Sequence, residues 1–561
     1  MNQAYSSLRE RLPERGPPGA HAFLTDARRI KAWMDALPRA NQQATLQQLS
    51  SALQTLRATQ LDGLTRLATL EALRPLLLDA VAYLGTHLQA NSFPLPQAKE
   101  KAAEQLLSFQ RELALGYRLA LVDACAPSGG VPFMRGAQVA LALVRAISHG
   151  SRHLAESYLL YRKPEIGVWI TLHALFRFAQ NAGLADRPIE DPAERIALTA
   201  RRRYAQALLL ALSNPWRFTQ REQQELWTVT RDFSGLLAFH SQPQGDAALA
   251  VPVNEDRGPG DLVAAGGVSD NQALLWVDLS TLRRLLDIAL SGNVEGMLHV
   301  RLDRSHTVVA SGELLQRLRQ SWDHASDRGY QRLGAGHALE TVVGLSSLHY
   351  HLAGSLDFDS FMHEVRGVGL VGEERAAWTH AGAGAARMPT AQARVLDQSL
   401  GGYHLAWDRA EAVRARVGEL VGLAPILRGG DLAREARSWM VGVIRWLRYD
   451  PQGGVDAGVE LIARRACAVE LRSLDTAGVA RAPMRGIQID HLRPNGAGEG
   501  TMHFLAPSVL DAQLDRLEVA RASDPERFEE TQAQISECAA LHILENAGDY
   551  FLLAARPVAA A

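Results

Sequence analysis

Asp397-Gln-Ser-Leu-Gly-Gly402, followed by Tyr403-His-Leu-Ala-Trp407, is the stretch that decides how this 561-residue chain is read. An acid, a hydroxyl and two closing glycines at this spacing predict a polar turn. The Asp and Ser side chains bond their own backbone and leave acceptors and donors facing outward, while Gly401 and Gly402 admit the positive φ of a sharp reversal. At a strand end, such a turn suits the reading of a small molecule. The alternation of Tyr403 to Trp407 predicts the strand that follows. Downstream, Trp439-Met-Val-Gly-Val-Ile-Arg-Trp-Leu-Arg448 and Ala457-Gly-Val-Glu-Leu-Ile462 predict two half-buried antiparallel strands around the turn-rich segment Asp450-Pro-Gln-Gly-Gly-Val-Asp. Arg445 and Arg448, three apart, are expected on opposite faces of the first of these strands and in solvent.

Upstream, Arg328-Gly-Tyr-Gln-Arg332 precedes the strand-like Glu340-Thr-Val-Val-Gly-Leu-Ser-Ser-Leu-His-Tyr-His351. In order, the Arg-x-x-x-Arg pair, the acid-x-Ser-x-x-Gly turn, the Val/Arg/Trp strand and the Gly-Val-Glu-Leu strand resemble the PilZ domain, a bacterial β-barrel that binds cyclic di-GMP. The resemblance covers roughly residues 326 to 470. It implies that Arg328 and Arg332, on a flexible lead-in, clamp phosphate and guanine, and that Asp397 and Ser399 bond the base while Gly402 closes the turn. Guanidinium groups suit this ligand because they bond phosphate oxygens bidentately, pair with guanine O6 and N7, and stack on the purine. The same arginine spacing recurs at Arg11/Arg15 and at Arg481/Arg485, so its weight comes from its place in the series. The interval from Arg332 to Asp397 exceeds what one strand and its turn need, which implies an insertion at about 353–394, expected to be a mobile excursion.

The remainder of the chain completes an α+β multidomain organisation. A flexible terminus at 1–21 precedes a helical domain at 22–240, where Leu46, Leu49, Leu53 and Leu56, and later Trp169, Leu172, Phe176 and Ala179, form apolar stripes at helical spacing. An α/β connector is expected at 241–325, with a helix through Leu314 that delivers the chain to Arg328. After the PilZ-like antiparallel barrel at 326–470, a second C-terminal β-domain at 471–561 is expected from strand patterns at Met484–His491, Thr501–Ala506 and Tyr550–Ala554. One reading of it is a divergent copy of the first barrel.

The formal net charge of −2 gives no global attraction to DNA or to an anionic membrane, so any phosphate must be met by local arginines. No run of about eighteen apolar residues is present, so no membrane insertion is expected. Cys125, Cys467 and Cys538 are expected to be reduced, buried thiols of a cytoplasmic protein. Gly367-Val-Gly-Leu-Val-Gly372 matches a dinucleotide fingerprint without the βαβ setting it needs. His349 and His351 share a strand face with no third metal ligand indicated, so no metal is expected. Arg201-Arg-Arg-Tyr204 reads as a solvated charge run. No nucleophile elbow, zinc helix or Walker loop is found, so neither catalytic residues nor a cofactor are expected. Three readings stand. The leading one is a cyclic di-GMP receptor that signals to an unidentified protein partner through its helical region. The others are a PilZ-like adaptor that has lost its ligand, and an enzyme with a dispersed site.

Overall fold

The computed structural model describes residues 3–18, 26–192, 194, 196–242, 248–259, 273–292, 294–323, 333–367, 388–408, 413–426, 438–475, 478–492, 500–510, 516–522 and 534–558. Arg328, Arg332 and most of the 367–372 glycine run lie outside them. The chain divides into two compact units, one of Met1–Asn91 with Leu95–Asp327, the other of Ser92–Pro94 with Arg328–Ala561.

The first unit is built on α1 (Gln3–Arg9), α2 (Ala27–Asp35), α3 (Gln42–Ala58), α4 (Gly63–Thr86), α5 (Gln97–Ala124), α6 (Gly136–Leu159) and α7 (Val168–Asn181). The hairpin β1 (Ile189–Asp191) and β2 (Ile196–Leu198) leads to α8 (Ala200–Leu212) and α9 (Gln220–Phe233). Then come the antiparallel sheet of β3 (Ala238–His240), β4 (Ala248–Pro252) and β5 (Leu274–Asp278), helix α10 (Ser280–Ala289), the hairpin β6 (Met297–Arg301) and β7 (Thr307–Ser311), and α11 (Gly312–Ser321). The leucine stripe of α3 is buried as its spacing requires. Asp191 is 1% exposed and accepts from both Arg74 and Arg145, so the β1–β2 hairpin is held by a buried charge matched on two sides. Arg203 corrects the solvated-run reading of Arg201–Tyr204: it is 1% exposed and its guanidinium pairs with Glu194.

The second unit consists of two closed barrels that share a strand. After β8 (Leu333–Gly334) come β9 (Ala338–Val343), α12 (Leu345–Leu352), α13 (Phe358–Arg366), β10 (Ala391–Ser399), β11 (Gly402–Trp407), β12 (Leu420–Pro425), β13 (Met440–Asp450) and the 20-residue β14 (Gly454–Ser473). The chain ends with β15 (Met484–His491), β16 (Met502–Pro507), β17 (Arg516–Arg521), β18 (Gln534–Asn546) and β19 (Tyr550–Pro557). Antiparallel pairing runs β9-β10-β11-β14-β13-β12 and back to β9, and again β14-β15-β16-β19-β18-β17 and back to β14. Both rings therefore visit their strands in the order first, second, third, sixth, fifth, fourth. The last strand of one is the first strand of the other. Gly454 to Ala463 of β14 close the first ring against β11 and β13, and Ala463 to Ser473 close the second against β15 and β17. Closure gives every strand of the two rings a partner on both sides. The sequence reading of 471–561 missed β17 and β18, and a strand common to both barrels was not anticipated.

Inside the first barrel, the Trp407 indole donates to Thr341 Oγ1 at 2.8 Å, and Thr341 in turn donates to the Ala391 carbonyl. A buried polar pair is thus fully matched. The second core gathers Val469, Leu471, Phe504, Leu517, Val519, Cys538 and Leu553. Cys125 and Cys538 are buried, while Cys467 is exposed, a correction to the buried-thiol reading.

Two local expectations are also corrected. The strand read through 340–351 stops at Val343, because Gly344 takes φ +90° and turns the chain into α12, whose Leu348 packs into the core beneath. His349 and His351 are therefore helical neighbours. His349 is 1% exposed beside Phe358 and Phe361, and burial lowers its pKa to about 3. The insertion, read as a mobile excursion, contributes α13. Its Phe358, Phe361, Met362 and Val365 follow helical spacing and bury against Ala468 and Ala520. Arg366, at the end of α13, bonds the fully buried Glu470, which also accepts from Arg472. Arg366→Met is expected to destabilise the second unit by about 1–3 kcal/mol in chemical denaturation, because Glu470 then keeps one cation only.

Candidate functional site

The expected turn residues lie on the β10–β11 hairpin, though not in its turn. Asp397 and Ser399 are the last strand residues of β10, and Leu400 and Gly401 make the reversal. A β-bulge between Val395 and Asp397 explains how the acid is presented. Val395 pairs with Leu405, both buried, whereas Asp397, only two residues on, pairs with His404. Without the extra residue, Asp397 would share the inward face of Val395; with it, the carboxylate joins His404 outside. His404 Nδ1 lies 3.1 Å from Asp397 Oδ2, and Ser399, paired with Gly402, continues the same outer face.

Gly402 is required by close approach. A Cβ there would stand 2.0 Å from the Val459 carbonyl oxygen of β14, so any side chain would push apart the β11–β14 ladder that closes the barrel. Gly458 is pinned likewise: its Cβ would meet Trp446 Nε1 at 1.9 Å. The indole of Trp446 therefore lies on the bare backbone of Gly458, with the His404 ring centroid 5.0 Å away and the Arg448 guanidinium 4.9 Å from its ring.

Register places these groups on one surface. His404 pairs with Gly458, Gly458 with Trp446, and Arg448 with Asp456, so all face outward across β10, β11, β14 and β13. Arg445 joins the same face, because a second register shift lies between Ile444 and Trp446. Its guanidinium is bonded to Glu460 and, from the second barrel, to Glu545 at 2.7 Å each, and these carboxylates raise its pKa despite burial. The expectation that Arg445 and Arg448 occupy opposite faces as solvated residues is corrected by this bulge. His404, Trp446 and Arg448 were missed as neighbours of Asp397. Alternation links Trp446 to Arg448, but only the bulges bring them beside the hairpin.

Strand β8 joins the same edge. Leu333 and Gly334 of β8 pair with Gln398 and Asp397, the latter bearing the outward carboxylate. Arg332 directly precedes Leu333 in the sequence. The buried Nε2 of His404 has no hydrogen-bond partner among the described residues. Carboxylate, hydroxyl, indole and guanidinium together offer an acceptor for base N–H groups, a stacking ring and a phosphate partner. Among the described residues no group of His, Cys, Asp and Glu is arranged to hold a metal ion, and no helix is long and apolar enough to cross a membrane.

Residues 28–244 match the family model for the N-terminal domain of the cyclic-di-GMP receptor FimW, and residues 253–380 and 370–467 match the model for its middle PilZ domain. This chain is a PilZ-domain protein. The PilZ match spans the hairpin, its aromatic neighbours and most of β14. Across 489 residues the protein is 27% identical to the cyclic-di-GMP receptor FimW of Pseudomonas aeruginosa, which covers 79% of this chain and 78% of the relative. No solved structure matches it.

Proposed function

We propose that this PilZ-domain protein is a cytoplasmic, non-enzymatic receptor for cyclic di-GMP, and that it passes ligand occupancy to a protein partner through its helical unit. The ligand lies on the outer face of the first barrel. Asp397 and Ser399 bond the guanine edge, Gly402 holds the hairpin against β14, and Arg328 and Arg332 clamp phosphate and guanine. Trp446 and Arg448 extend the surface available to the second half of the ligand. No metal or cofactor is called for.

One observation carries this reading more than any other: the bulge turns Asp397 outward on the same edge where β8, directly after Arg332, joins the sheet. The acid-x-Ser-x-x-Gly residues and β8, far apart in sequence, meet there. The name of the Pseudomonas relative gives independent support.

The segment that connects α11 to β8 and carries Arg328 and Arg332 is the route by which ligand occupancy is passed on. Hydrogen exchange on the full chain tests it. With cyclic di-GMP, protection is expected to rise across residues 314–335 and to spread into the helical unit, and a partner that prefers the liganded form tightens ligand binding by the same factor. Protection confined to the β10–β11 hairpin would leave a binding module with no relay.

A further inference from the structure

The bulge that turns Asp397 outward also decides its neighbour. His404 is the residue it meets across the hairpin, and His404 Nδ1 lies 3.1 Å from Asp397 Oδ2. The two side chains are covered unequally. Asp397 is 27% exposed and His404 15%, so an approaching ligand meets the carboxylate before the ring.

The imidazole is held on several sides. The backbone of His404 pairs with Asp397 of β10 on one side and with Gly458 of β14 on the other, which fixes the strand beneath the ring. Trp446, seated on the bare backbone of Gly458, packs beside it with ring centroids 5.0 Å apart and planes at 60°. Nε2 is buried and has no hydrogen-bond partner among the described residues. In the neutral ring the proton therefore belongs on Nδ1, where Asp397 accepts it, because on Nε2 it would be a buried donor left unpaired.

An aspartate carboxylate turns broadly about its last torsion, where the energy wells are shallow and roughly two-fold. Guanine demands a fixed plane: N1–H and the 2-amino group donate side by side, and a carboxylate meets both only when it lies in the plane of the base. A bond from a pinned ring to Oδ2 restricts that plane before the ligand arrives, and it uses one of the roughly four acceptor positions of the carboxylate. We propose that His404 is a positioning residue for guanine recognition, which holds the Asp397 carboxylate in the orientation that accepts N1–H and the 2-amino group together. The inference rests on the reading of Asp397 as the acceptor for the guanine edge.

Calorimetric titration of the full-length protein compares cyclic di-GMP with cyclic di-IMP, in which hypoxanthine replaces guanine and the 2-amino group is absent. Wild type is expected to prefer cyclic di-GMP by about tenfold or more, the effect of one charge-assisted contact. His404→Ala is expected to lose about three- to tenfold of its affinity for cyclic di-GMP, because the carboxylate must then be ordered at binding. It loses much less for cyclic di-IMP, so the preference falls to about threefold or less. His404→Asn, whose amide N–H takes the place of Nδ1–H, is expected to restore the preference, and Asp397→Ala to lower it at least as far as His404→Ala does. Both ligands are titrated into one preparation, so partial unfolding of a variant leaves the ratio intact. A merely structural role for His404 would weaken both ligands alike. The proposal is overturned if His404→Ala keeps the wild-type preference, if His404→Asn does not restore it, or if Asp397→Ala retains it. Wild type that binds neither ligand overturns the receptor reading itself, whereas wild type that binds both alike overturns only the guanine-edge role given to Asp397 and His404.

Discussion

Arg332→Ala and Asp397→Ala are each expected to weaken cyclic di-GMP binding by roughly ten- to a hundredfold, the equivalent of losing one charged hydrogen-bonding contact of about 1.5–3 kcal/mol. Stability without ligand should change little. Asp397 is partly exposed, and its ion pair with the outward His404 is worth at most about 1 kcal/mol at such a surface. The two effects must therefore separate: affinity falls while the denaturation midpoint of the free protein stays within about 1 kcal/mol of wild type. Wild-type affinity in both variants would remove these residues from the site. A parallel loss of stability and affinity in Asp397→Ala would make its role one of folding.

Gly402→Ala is expected to cost both. The added methyl meets the Val459 carbonyl, which is backbone and cannot rotate away, so β11 must move off β14 and reopen the first barrel. A destabilisation of about 3 kcal/mol, at the upper end of overpacking, should appear in chemical denaturation together with lost ligand binding. Gly334→Ala is the control. It lies in β8, beside Asp397, with nothing within 4 Å of the new methyl, so the denaturation midpoint should not move. A Gly402→Ala protein with wild-type stability would show that the β11–β14 ladder tolerates what its geometry forbids.

These two cases also mark how far the sequence could be read. The reversal between β10 and β11 was legible because turn chemistry and glycine are local properties, although Asp397 and Ser399 end the strand and do not form the turn, and the helical first unit was legible because leucines at spacings of three and four have one simple outcome. The side of the sheet that Asp397 faces was not legible. Alternation counted from Val395 points it inward, and only the extra residue opposite Leu405 reverses it. The same kind of slip at Arg445 hid the Trp446–Arg448 surface, because a bulge depends on pairing with a distant strand and leaves no mark on its own segment. The shared strand was hidden for a related reason. The pattern of β14 continues unbroken from Gly454 to Ser473 while its partners change from β11 and β13 to β15 and β17. Periodicity reports which residues are buried, not against what. The α13 stripe, by contrast, was present in the sequence at ordinary helical spacing and was obscured by the glycine- and alanine-rich run that follows it.

The most direct test of the central claim is a calorimetric titration of the full-length wild-type protein with cyclic di-GMP. The account predicts saturable binding with Kd in the range of about 1 µM or tighter, and rising protection of Leu333, Gly334 and the β10 edge in the complex. A folded protein that gives no binding up to about 100 µM ligand would contradict it, and would leave the PilZ domain as a contact surface for other proteins.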